Sequence, residues 1–185
     1  MTACDIPAAV FIMLLLIGLF CDVMLHWQLG RKKLFVTAMA TLTVIVVFTR
    51  LYGLSPFALR CILICQLMIL AGVTDAATYE IPDRYPICIF VAGLFGCHVI
   101  PALCGCLLIP LPFLIGAWKT GKIGGGDVKL TAAGGFILGV SGGICMLITG
   151  LFAAILWNLV LGGKKQSIPL APFLAFGCFV ALQLV

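Results

Sequence analysis

The stretch FALRCILICQLMILAGVTDAATYEIPD, residues 57–83, decides how this chain folds. From Phe57 to Thr74 it is apolar except for Arg60 and Gln66, with no alternation of polar and apolar positions. Continuous hydrophobicity over such a length predicts a buried or membrane-crossing helix rather than a half-exposed strand. As a helix the run would measure roughly 27 Å, close to the ~30 Å of a bilayer hydrocarbon core. At Asp75 the character changes: polar residues appear, and Ile81-Pro82-Asp83 interrupts any helix, because proline lacks an amide donor and restricts the residue before it.

The same pattern recurs along all 185 residues. The chain is 64% hydrophobic and 9% charged, with a mean hydropathy of +1.30. A soluble domain carries about 25% charged residues, so that class is excluded. Unbroken apolar runs argue against a transmembrane β-barrel, and in lipid the backbone must satisfy its own hydrogen bonds. The expected fold is all-α: a single-domain (1–185), polytopic integral membrane helical bundle. About eight spans are expected, near 6–25, 34–48, 57–74, 86–100, 103–118, 128–140, 144–161 and 170–185. The first lacks a basic preceding segment and a small-residue cleavage site, and reads as a retained helix.

The basic residues orient this layout. Arg31, Lys32, Lys33, Arg84, Lys119, Lys122, Lys129, Lys164 and Lys165 fall in loops on one side, nine of the 11 Lys and Arg. Arg50 and Arg60 fall on the other. The positive-inside rule then places those loops in the cytoplasm and both termini outside. The net charge of +5 is accounted for by anchoring at an anionic lipid bilayer and calls for no nucleic acid. Ten cysteines include no Cys-x-x-Cys pair, so they read as small apolar residues packed between helices. His26 and His98 have no ligand-like neighbours and read as interfacial or packed; no metal is expected.

Acidic residues are scarce, six in all, and each is costly near lipid. Two stand where apolar segments meet polar loops. Asp75 closes the third span; taken alone it is equally consistent with a helix end facing water. Asp127 ends the run Gly124-Gly125-Gly126 and opens the sixth span, where the helix dipole favours a carboxylate. The glycines leave the backbone free for positive φ and for close approach. Asp83 is expected to cap the fourth span, with Pro86 in its first turn. Lys129 is placed to offset the acids or touch headgroups. The orientation puts Asp75 and Asp127 at one depth on the cytoplasmic side. Two carboxyls in one site share a proton, so one can serve as base for water and the other as acid, with no cofactor or covalent nucleophile. A phosphate-binding reading fails, since the Gly-x4-Gly-Lys-Ser/Thr pattern is absent.

On these residues the chain resembles the prepilin peptidases, membrane aspartyl proteases with a Gly-x-Gly-Asp signature. Asp75, Pro82 and Asp83 match the family's Asp-x6-Pro-Asp/Asn; Gly124, Gly126, Asp127 and Lys129 match Gly-x-Gly-Asp-x-Lys. Ile168-Pro169-Leu170-Ala171-Pro172-Phe173-Leu174, closing at Gly177, is similar to the family's final proline-rich helix. The resemblance covers roughly residues 57–185. It implies a bacterial cytoplasmic-membrane endopeptidase with Asp75 and Asp127 catalytic. Its partner would be a type IV prepilin or pseudopilin, cut after a glycine just before the substrate's apolar helix. Longer members carry a cysteine-rich insert after the first helix and often methylate the product. Here that loop is residues 26–33, so the resemblance implies proteolysis and does not extend to methylation. Neither substrate-contacting residues nor oligomeric state follow. The alternatives are an ion- or proton-coupled transporter using Asp75 and Asp127 as intramembrane ligands, and a catalytically inert assembly scaffold.

Overall fold

The computed structural model describes residues 34–53, 55–96, 98–121, 124–160 and 168–184. Among them are seven helices and no strand: α1 (Leu34–Tyr52), α2 (Pro56–Thr78), α3 (Arg84–Leu94), α4 (Val99–Leu108), α5 (Leu111–Thr120), α6 (Gly125–Val160) and α7 (Ala171–Leu184). Three stretches are long and apolar enough to cross a membrane: Pro56–Thr78, Val99–Lys119 and Gly125–Val160. Large apolar side chains such as Ile100, Leu107, Phe152 and Val160 lie exposed around the outside. The protein is an all-α membrane bundle. The expected span 6–25 lies outside the described residues, as do Arg31, Lys32, Lys33, Lys122, Lys164 and Lys165.

Helix α2 starts as its sequence directs. The Ser55 side chain accepts from the Ala58 amide at 3.2 Å, and Pro56 occupies the first turn. Its end corrects the expected boundary. The helix runs on to Thr78, so Asp75 lies inside the last turn and is buried rather than beyond the helix. Tyr79, left-handed at φ 56°, closes it by donating its amide to the Asp75 carbonyl at 2.8 Å.

The expected span 86–100 is also corrected. Helix α3 stops at Leu94, and Gly96 is left-handed at φ 78°. The next helix begins at Val99 and gives way at Ile109-Pro110 before α5, because Pro110 and Pro112 cannot continue the ladder. Helix α6 would be roughly 54 Å long if straight, far beyond the ~30 Å hydrocarbon core. It is not straight. Gly139 has φ 67° and ψ −166°, a region open essentially only to glycine. A methyl group on Gly143 would sit 3.5 Å from the Gly135 Cα, and one on Gly134 would strike Met146. Residues 135 and 143 would be roughly 12 Å apart on a straight helix. The chain therefore reverses at Gly139, giving two limbs, 125–138 and 140–160. Two spans were expected here, but joined through residues 141–143; those residues are helical and the turn is a single glycine.

The α6 limbs pack chiefly on α4 and α7, and α2 packs on α7. Gly105 and Gly135 meet backbone to backbone, so a Cβ on either would overlap the other's carbonyl. Met68, Leu130, Met146 and Leu174 fill the centre without exposure above 1%. Cys61, Cys65 and Cys178 are buried among them as expected, whereas Cys88 and Cys104 are exposed. At one end, Arg60 donates to the Gly93 and Gly96 carbonyls at 3.0 Å each, tying α2 to the end of α3. Asp75 lies fifteen residues further along α2, roughly 22 Å away at the other end.

Candidate active site

The last turn of α2 aims the Asp75 side chain at the start of α7. Its Oδ2 accepts from the Ala171 amide at 3.0 Å, and the neighbouring Leu170 amide adds to the attraction. These are among the four amides that a helix leaves without internal partners at its start. Pro169 and Pro172, having no amide of their own, bracket them. Close approach of α7 to α2 depends on Gly72, where a Cβ would lie 2.9 Å from the Pro172 Cα. The buried Asp75 carboxylate thus stands in place of an N-cap for a helix 96 residues on.

Asp127 sits in the first turn of α6. It is close enough to Asp75 for the two charges to act on each other, so residues 52 positions apart are brought to the same end of the bundle. The Asp127 Oδ1 is buried and has no hydrogen-bond partner among the described residues. One carboxylate is anchored by amides; the other presents an unengaged oxygen.

The supporting residues join the two motifs. Gly126 lies against Ile81, where a Cβ would come within 2.9 Å of the Ile81 Cβ. Lys129 Nζ pairs with Asp83 Oδ1 at 2.6 Å. Pro82 accepts from the Tyr85 amide at 3.2 Å at the entry to α3. Two expectations are corrected here. Asp83 occupies the N-cap position of α3, yet its side chain makes no cap bond: its backbone is already helical at φ −59° and ψ −21°, and Lys129 pairs with its Oδ1. Gly124, Gly125 and Gly126 adopt no positive φ; only Gly126 is needed for close approach, and Gly125 begins the helix.

Both partners of the Lys129–Asp83 pair are more than half exposed, so the pair aligns the motifs without contributing much energy. A double-mutant cycle with Lys129→Ala and Asp83→Ala, read by thermal melting, is expected to give a coupling below about 1 kcal/mol. The amides of Leu170 and Ala171 are the functional groups that the motifs by themselves did not disclose. The paired prolines around them were the available signal.

Comparison with known proteins agrees with these motifs. The model of the type IV leader peptidase family matches residues 62–161. A prepilin leader peptidase/N-methyltransferase of Bacillus subtilis (strain 168) is 30% identical over 154 residues, which cover 70% of this chain and 57% of that protein. The chain thus matches little more than half the length of this curated relative. No solved structure matches it significantly.

Proposed function

This chain belongs to the type IV leader peptidase family, and from that premise we propose that it is a membrane-embedded aspartyl endopeptidase. Its substrates in this reading are type IV prepilins or pseudopilins, cut at the cytoplasmic face of the bacterial inner membrane. The observation that supports the reading is that Asp75 and Asp127 lie at the same end of the bundle, where Gly126 packs against Ile81 and so brings the two motifs together. The pair holds one proton between them. The ionised carboxyl removes a proton from water, whose oxygen attacks the scissile carbonyl, while the protonated carboxyl supplies its proton to the carbonyl oxygen. Collapse of the tetrahedral species then releases the amine, which takes up a proton from the pair. In this reading the Asp127 Oδ1, buried and engaged by no described residue, is the acceptor for that water. The Ala171 amide on Asp75 keeps its carboxylate from rotating away.

The transporter alternative draws less support, since the two acids share one end of the bundle instead of marking a path through it. The methyltransferase activity in the relative's name is not carried over, because the sequence between the first two expected spans, residues 26–33, contains no cysteine-rich insert.

The test is leader removal from a prepilin by the purified protein in lipid vesicles, with the product's new N-terminus sequenced. Cleavage after the leader glycine is expected, with a rate unchanged by EDTA. No cleavage, or a rate that EDTA abolishes and zinc restores, would overturn the aspartyl reading.

A further inference from the structure

A groove of about 500 Å³ opens between α1, α2 and α7, reaching at one end the residue that follows Asp75 on α2. Its upper rim is Ala76, adjacent to Asp75, and Pro172, adjacent to the amide that holds Asp75. From there it descends about two helical turns, past Gly72 and Ala40, to Val44 and Phe179. We propose that this groove is where the substrate's apolar helix docks, with the scissile bond emerging at its rim against the carboxylate pair. The inference rests on the peptidase reading and names the surface that reading lacks.

The chemistry of the wall selects the occupant. Its polar residues are Thr37 and Thr43. The Thr43 hydroxyl donates to the Met39 carbonyl of its own helix at 2.8 Å, and Thr37 also has a partner. The wall therefore offers little to an extended peptide, whose backbone groups would be left unpaired in lipid. A helix brings its hydrogen bonds with it. Ala40, Gly72, Ala76 and Ala175 form the small-residue surface on which helices approach closely in membranes. A phospholipid tail would also suit an apolar groove, but its anionic headgroup would then lie at the acidic rim beside Asp75. That repulsion favours a peptide helix, which brings no phosphate to the rim and whose leader continues past Asp75 into water.

The experiment places a photo-cross-linking residue at Ala40, Val73 or Phe176 in the full chain, with controls at the lipid-facing Val91 and Phe152. The probe is a leader ending in glycine fused to an apolar helix, and Asp127→Asn prevents its consumption. Cross-links from groove positions to the probe's helix, at least about fivefold above the controls, are expected. Equal yields, capture of lipid, or cross-linking to residues 6–25 of the same chain would overturn the groove assignment. In a second measurement, Ala40→Trp in the otherwise native enzyme is expected to raise KM for the membrane-borne probe by about tenfold, a difference of ~1.4 kcal/mol in binding. Its kcat/KM for a short soluble peptide spanning the cleavage junction should be unchanged; equal loss on both substrates would count against the groove. Cross-linking needs no hydrolysis, so the two readings fail separately. Groove-specific capture without cleavage by the native enzyme overturns the peptidase reading alone, and cleavage without capture overturns the groove alone.

Discussion

Asp127→Asn is expected to lower leader removal by roughly 10³-fold, within the range that general acid–base groups contribute. Asparagine keeps the shape of the side chain and removes its ability to exchange a proton. At this position the substitution disturbs less, because the Asp127 Oδ1 has no hydrogen-bond partner among the described residues. Asp75→Asn is expected to reduce cleavage as far but is the less clean variant. Its carboxylate accepts from the Ala171 amide, so the asparagine amide weakens a charge-assisted contact worth about 1.5–3 kcal/mol. Substrate processing on a gel, read beside a melting curve, separates the two effects. If Asp127→Asn folds normally and still processes substrate within tenfold of the native rate, the shared-proton mechanism is wrong.

The second large effect concerns Gly139. A methyl group there would lie 3.5 Å from the Pro101 Cβ, an ordinary contact, so space is available for alanine. The backbone is the obstacle. With φ 67° and ψ −166°, any side chain is strained by on the order of 1–3 kcal/mol, and a β-branched one by more. Gly139→Val is therefore expected to destabilise the protein severely, and Gly139→Ala to lower the melting temperature while leaving the contact with Pro101 acceptable. Gly121 supplies the control. It too has positive φ, but at ψ 5° it lies in the left-handed helical region that asparagine tolerates. Gly121→Asn should melt close to the native protein, whereas Gly139→Asn should not. Equal melting of the two variants would show that α6 does not reverse at Gly139.

How far the fold and site could be read in advance varies along the chain. Asp75, Asp127 and the Gly124–Gly126 run were legible because acids and glycine runs are conspicuous among apolar residues. The turn at Gly139 was harder to place. Residues 139–143 include three glycines, and local composition cannot say which of them takes the extreme dihedral. That choice depends on Gly105 and Gly135 meeting from separate helices. Asp83 stands at the expected N-cap position but lacks the expected cap bond for a similar reason. A cap is the local option for an aspartate before a helix, but Lys129, 46 residues away, competes for its oxygen.

Hydrophobic runs and their punctuation were enough to dictate a helical membrane bundle, since lipid leaves the backbone few ways to satisfy itself. The acidic residues were enough to name the candidate chemistry. Folding alone decided that the Asp75 carboxylate is held by amides at the start of α7 while an Asp127 oxygen stays unengaged. Those contacts join residues 75, 127 and 171, and no local preference links such distant positions until helix packing brings them together.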